Sequence, residues 1–424
     1  MKTAIKVGEN TLWQIGSKAT NAISGLIIIG LIQRLYGETG VGIYSIVIAY
    51  VSFYFMPVDF GLNALAVKHL LDSNHKPEKV FGNILGFRLA LSAALIIIAL
   101  IIMQLLPYNI ETQTGYPPAV KLGILLTSLM IFAQAILASA NAYFQSMQRY
   151  AYSFIANMAA AIGNVGLFLV LVNAQVSIEY ALISFTISGL IGAITSLLLV
   201  KRRLSKITLL LNKNYLKSLI KDTLPLTVSL ILNLVYFRID GLILPFYRSV
   251  EEVGRYNIAY KIFDTILVIP NYFANALYPV LLDQYNQGIK KFIKLVKKSA
   301  VGLTGIAVLG SAASYILAPY VVQLITGMQN PETVLYTRVL TSGLIVFFLS
   351  SIAMWSLIVI GKQKYLAYIY GTTMIINITL NVLLIPQYGA LAAAYITIAT
   401  EAVVFLISGP LLIKEINAKL KELK

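Results

Sequence analysis

The chain has 424 residues, of which 58% are hydrophobic and only 12% charged. That composition excludes a soluble globular fold and leaves no segment for a separate soluble domain. Cysteine is absent, which excludes disulfides, thiol catalysis and cysteine metal sites, and the net charge is +16.

Apolar stretches long enough to span a bilayer, about 20 residues, recur twelve times. They lie roughly at 11–32, 41–67, 80–106, 117–144, 152–172, 177–200, 219–245, 253–282, 292–318, 333–360, 366–386 and 389–413. The predicted class is an all-α polytopic membrane protein. No small-residue cleavage site follows the first segment, so it is expected to remain as a span.

In the first span Thr11, Gln14, Lys18 and Asn21 share one helical face, and in the second Ser45, Ser52, Asp59 and Asn63 do. Lipid cannot satisfy such faces, so they are expected to meet protein or a water-filled cavity. The loop "KHLLDSNHKPEK" follows; His69 and His75, six apart among lysines, are expected to be solvated and to bind no metal. The third span contributes Arg88, and the fifth Asn157 and Asn164. Asparagine and serine at these spacings also serve as glue between helices.

The middle of the chain, "KRRLSKITLLLNKNYLKSLIKD" from Lys201 to Asp222, mixes cations with leucines. It reads equally as an interfacial segment or as a plain basic loop that sets topology. The expected organisation is a first lobe at 1–200, a linker at 201–218 and a second lobe at 219–424.

The seventh span holds "VYFRIDGLILPFY", with Arg238 and Asp240 two residues apart. Side chains two apart on a helix diverge by about 200° and cannot pair with each other. Asp240 shares a face with Ser229, Asn233 and Tyr236 and is expected in a central cavity. Arg238 is expected to reach the headgroups or to pair within its own half. The eighth span carries Asn257, Lys261, Asp264, Asn271 and Asn275, the eleventh Asn377 and Asn381, and the twelfth Glu401.

With the N-terminus inside, cytoplasmic segments hold 24 Lys and Arg, and external ones hold 5. This positive-inside bias places both termini and the middle segment in the cytoplasm. Topology and anionic lipid account for the basicity without nucleic acid.

Two halves share a pattern. "LIQRLYGETGVGIYSIVIAYVSFYFMP" from Leu31 matches "LILPFYRSVEEVGRYNIAYKIFDTILVIP" from Leu242, pairing Gly42 with Gly254 and Pro57 with Pro270. "QRYAYSFI" from Gln148 matches "QKYLAYIY" from Gln363. The offsets stay near half the chain length, as an internal duplication of six helices each requires. Six is even, so the repeats are expected to be parallel, with a site between them. Pro57 and Pro270 read as pivots for alternating access or as static kinks.

"GETGVGIYSIVIAYVSFYFMPVDFGL", "YFRIDGLILPFYRSVEEVGRYNIAYKIFDTILVIP" and "NITLNVLLIPQYGALAAAYITIATEAV" together resemble the polysaccharide-unit (O-antigen type) flippases. These belong to the multidrug/oligosaccharidyl-lipid/polysaccharide exporter superfamily, and the resemblance covers essentially the whole chain. It implies two six-helix lobes around a cavity lined by helices 1, 2, 7 and 8. It further implies outward flipping of polyprenyl-pyrophosphate-linked oligosaccharides in the cytoplasmic membrane, with no cofactor and no catalysis. Cations matching the pyrophosphate-binding role by place and charge are Lys18, Arg88 and Lys261, with Asn21 and Asn257 beside them. Asp59, Asp240, Asp264 and Glu401 are the candidate cavity or ion-coupling acids. Membrane lipids, glycan polymerases and glycosyltransferases are the expected company. A cation-coupled multidrug antiporter and a lipid II flippase are rival readings. A membrane glycan polymerase or glycosyltransferase is a further one, but the external loops are short and almost uncharged.

Overall fold

A computed structural model describes the backbone of all residues except Met1, Phe60, 73–75, Ser205 and 422–424. Side chains of residues 2–8, 11, 64, 214, 218, 221, 222, 225, 226, 229, 230, 271, 272, 275 and 276 also lie outside the described set. The expectations for Thr11, His75, Ser229, Asn271 and Asn275 therefore fall outside the described residues.

The regular secondary structure among the described residues is helical apart from one hairpin, Tyr108–Asn109 paired antiparallel with Thr114–Gly115. The helices in order are α1 (Lys2–Phe53), α2 (Phe55–Asp59), α3 (Leu62–Leu71), α4 (Pro77–Leu105), α5 (Pro118–Thr127), α6 (Met130–Ser146), α7 (Tyr150–Asn173), α8 (Ile178–Ala181) and α9 (Ile183–Lys201). Then come α10 (Lys213–Tyr247), α11 (Val250–Ile266), α12 (Val268–Gln287), α13 (Ile289–Thr326), α14 (Pro331–Ser342), α15 (Leu344–Val359) and α16 (Lys364–Lys421). Eight helical stretches among the described residues are long and apolar enough to cross a membrane. Their outward faces carry rows such as Ile97, Ile98, Ile101 and Ile102 of α4, which a lipid environment accepts and water does not.

At 1.5 Å per residue α1 would be about 78 Å long, more than twice the hydrocarbon thickness of a bilayer. It breaks at Gly37 (φ 69°, ψ −165°), and the 58-residue α16 breaks at Gly389 (φ 65°, ψ −149°). Both backbones lie in the left-handed region, which glycine enters without steric cost. The second break is also capped electrostatically. Arg248 donates to the carbonyls of Ile385 and Pro386 before it, and Glu252 accepts from the amide of Ala390 after it. Cation at the helix end and carboxylate at the helix start both oppose the local dipole.

Boundaries recur along the chain. Tyr54 separates α1 from α2 and Leu267 separates α11 from α12, each three residues ahead of Pro57 or Pro270. A proline lacks the N–H and crowds the carbonyl four residues back, so the hydrogen-bond ladder loosens one turn upstream. Pro118 and Pro331, 213 apart, each open a helix that is interrupted about ten residues later. Gln148 (φ 52°) and Gly361 (φ 77°), and Gln175 (φ 55°) and Gly389, are further pairs of left-handed residues 213 or 214 apart.

The chain divides into two compact units, Met1–Ile231 and Leu232–Lys424, with the boundary inside α10. The first unit packs Phe81, Leu85, Phe144, Val200 and Leu204 into one cluster and Leu62, Ile84 and Leu219 into another. The second packs Tyr236, Leu281, Phe292, Leu357, Ile369 and Val404. Lipid tails are as apolar as these side chains, so close packing and interhelical polar bonds hold such units together. The predicted asparagine glue is present. Asn157 donates to Ser17 (2.5 Å), Asn164 accepts from Ser184 (3.1 Å), and Asn377 donates to Thr400 across the Gly389 break (3.1 Å).

Candidate substrate site

In the first unit, α1 presents Gln14, Lys18 and Asn21 on its exposed surface. The adjoining Ser17 turns inward to Asn157 of α7, which fixes the rotation of α1 and leaves the lysine face outward. Arg88 behaves differently. It is fully buried in α4, and its Nη2 donates to Asp59 Oδ1 at 2.7 Å and to Asn63 Oδ1 at 3.0 Å. Its Nη1 donates to Ser139 of α6 at 3.3 Å. A buried guanidinium is tolerable only when paired and hydrogen-bonded, and these groups do both. Arg88 therefore does not stand beside Lys18 as an accessible cation, which corrects the sequence expectation. Leucine-rich α4 gave no hint of a partner 29 residues earlier.

In the second unit Asp240 is buried within the unit instead of lining a cavity, which corrects the expectation for it, whereas Arg238 pairs within its own half, one of the two alternatives expected. Asp240 is buried (6% exposed), accepting from the Tyr256 hydroxyl of α11 at 2.5 Å and from the Gly241 amide at 2.8 Å. Arg238 is exposed and pairs with Asp264 of α11 at 3.3 Å, its guanidinium 5.5 Å from the Tyr260 ring centre. Helical spacing correctly grouped Asp240 with Tyr236. The face they share is buried against α11 and α16, while Arg238 meets α11 at its exposed Asp264 edge.

Tyr236 completes this inward face by donating to Glu401 of α16 at 2.8 Å. Ser350 of α15 also donates to Glu401, which is only 4% exposed. Glu401 thus ties α10, α15 and α16 together. Sequence reasoning missed Tyr256 and Ser350 as the donors to these acids. Nothing local to Tyr256 in the sequence marks its partner.

Lys261 and Asn257 sit one turn apart on α11, both half-buried, with Asn257 bonded to the Val253 carbonyl at 2.9 Å. Asp264, one turn beyond Lys261, pairs with Arg238 of α10. No group of three His, Asp or Glu residues that could hold a metal occurs among the described residues. Lys18 in one unit and Lys261, Arg238 and Asp264 in the other are thus charges of the predicted spans that stay partly or fully exposed.

Residues 7–284, about two thirds of the chain, match the family described as polysaccharide biosynthesis proteins. The chain belongs to that family. The chain is 26% identical over 357 residues to a candidate O-antigen transporter of Shigella dysenteriae, covering 82% of this chain and 85% of that one. Solved structures share the fold. The lipid II flippase MurJ in an inward closed conformation aligns with a TM-score of 0.77 at 16% identity, over 96% of this chain and 89% of that one. An inward-facing multidrug resistance MATE transporter of the MOP superfamily aligns at 0.76 and 14% identity, over 96% of both chains. A MOP superfamily transporter from Pyrococcus furiosus aligns at 0.61 and 13% identity, over 97% and 96%. The resemblance read from the sequence agrees with that family, and the fold is the one these solved transporters share.

Proposed function

We propose that this protein flips polyprenyl-pyrophosphate-linked oligosaccharide units from the inner to the outer leaflet of the cytoplasmic membrane, by alternating access, for polysaccharide biosynthesis. It does so as a transporter, without catalysis, and works beside the polymerases and glycosyltransferases that consume and supply the glycan. The observation that carries this reading is an accessible lysine within a predicted span of each unit, Lys18 exposed and Lys261 half-buried, beside Asn21 and Asn257. A pyrophosphate diester bears about two negative charges and leaves the interface only where cations and amide donors replace water. A membrane potential negative inside favours its outward movement by about 2.3 kcal/mol per charge per 100 mV.

A multidrug antiporter needs carboxylates open to a cationic drug. Here Asp240 and Glu401 are buried among hydroxyl donors, Asp59 is bound to Arg88 and Asp264 to Arg238. That distribution favours the anionic substrate.

We further infer twelve spans in two parallel six-helix repeats, with both termini cytoplasmic. The recurring breaks at offsets near 213 support the repeats, and the 24-to-5 split of Lys and Arg supports the orientation. With that topology, Thr114→Cys in intact cells is labelled by an impermeant thiol reagent and Lys206→Cys is not.

The functional test is complementation of a flippase-deficient strain. Lys18→Ala and Lys261→Ala are expected to lower surface glycan at unchanged protein levels, and Lys→Arg at each position to retain more. Unchanged glycan in both alanine variants overturns the cationic site.

A further inference from the structure

Between α9 and α10, residues 206–212 form no helix but run across α4 as a strap. Leu210 donates its amide to the Gly82 carbonyl at 3.1 Å, and the Asn83 side chain accepts from the Asn212 amide at 2.8 Å. Gly82 and Gly86 permit this approach, since a Cβ at either would collide with the carbonyl of Thr208 or Leu210. The strap is therefore a fixed wall of the first unit.

Behind it lies a cavity of about 510 Å³, within the usual range for ligand pockets. Leu85 and Leu89 of α4, Ile136 of α6 and Leu197 of α9 supply its apolar lining, with two apolar side chains of the strap. Its remaining lining residues are Lys201, the last residue of α9, and Lys206 of the strap. Both lysines are exposed, and neither forms an ion pair among the described residues. The apolar side chains extend away from this charged end into the spans: Leu197 lies about 6 Å before Lys201 along α9.

The geometry points to a binding site for an anionic membrane phospholipid, its phosphate on Lys201 and Lys206 and an acyl chain in the slot lined by Leu85, Leu89, Ile136 and Leu197. Charge complementarity selects the occupant. Two cations at one end of an apolar slot, at the end of a span, match a phosphate followed by a hydrocarbon chain. A neutral lipid leaves both ammonium groups without a counter-charge, and a soluble anion leaves the slot unfilled. The site is distinct from Lys18 and Lys261. Because the strap carries the chain from α9 to α10, occupancy of the site stabilises that connection within the first unit.

The test is native mass spectrometry and thermal unfolding of the purified full-length protein in detergent, with phosphatidylglycerol, phosphatidylcholine and inorganic phosphate as separate probes. Phosphatidylglycerol is expected to remain bound and raise the unfolding temperature, phosphatidylcholine to do so less, and phosphate not at all. Lys201→Gln with Lys206→Gln is expected to weaken phosphatidylglycerol binding by roughly 30-fold. Lys294→Gln with Lys298→Gln, an equal loss of charge on exposed positions of α13, is expected to leave it intact. Equal binding of the two lipids overturns the site, as does equal weakening by the control pair. Displacement of phosphatidylglycerol by inorganic phosphate reduces the site to an anion site and likewise overturns it.

Discussion

The two units share a framework and differ in what they bury. The first encloses a cation, Arg88, against one carboxylate and three neutral oxygens. The second encloses acids, Asp240 and Glu401, against tyrosine and serine hydroxyls, and leaves its arginine outside. Matched positions show where they part. Tyr44 and Tyr256, 212 apart, are both buried, yet the residue 211 before Asp240 is Ile29, an apolar core residue. Helix breaks at prolines and left-handed residues are set by backbone sterics and survive side-chain change. Buried charges depend on partners far along the chain, so each unit has its own set.

The contrast can be broken most forcefully at Arg88. Asp59→Ala leaves a guanidinium buried with only neutral acceptors and is expected to lower stability by about 3–5 kcal/mol. Asp59→Leu with Arg88→Met removes both charges and is expected to restore most of that loss. Unfolding in detergent, followed by tryptophan fluorescence or circular dichroism, measures both. A double variant as unstable as Asp59→Ala would mean that the pair does more than neutralise itself.

In the second unit the donors are neutral, so the expected penalty is smaller. Glu401→Ala strands the hydroxyls of Tyr236 and Ser350 and is expected to cost about 1–3 kcal/mol. Glu401→Gln keeps an acceptor and is expected to cost less. Transport by the Gln variant sharpens the comparison. Retained transport identifies Glu401 as structural, whereas abolished transport at unchanged stability identifies it as a proton carrier.

The smallest effect is expected at Arg238 and Asp264, both exposed and 3.3 Å apart. A double-mutant cycle in the same unfolding assay is expected to give a coupling below about 1 kcal/mol if water surrounds the pair. A markedly larger coupling places it outside water.

Much of the fold was legible because membranes impose simple rules. Long apolar helices and proline positions each depend on one residue's own chemistry. Asn157, Asn164 and Asn377 were readable as glue because a polar amide in a span must find a partner nearby. Arg88 and Asp240 were not readable. Helical periodicity says which residues share a face; it does not say whether that face meets a cavity or a neighbouring helix. Asp240 lies on the inward face of α10 because Tyr256 and Glu401, 16 and 161 residues away, bring their elements against that side. The strap over Gly82 and Gly86 was equally hidden, since the sequence marks only two small residues four apart.

The central claim is that lysines accessible in both units carry an anionic lipid-linked glycan across the bilayer. Its most direct test reconstitutes the purified protein in liposomes loaded with a polyprenyl-pyrophosphate oligosaccharide and follows the sugar's arrival in the opposite leaflet with an impermeant lectin. Translocation is expected to exceed that of protein-free liposomes and to fall roughly tenfold or more with Lys18→Ala or Lys261→Ala, the loss of one charge-assisted contact. Lys294→Ala is expected to leave the rate unchanged. Translocation equal to that of protein-free liposomes, or an undiminished rate in both lysine variants, would contradict the account.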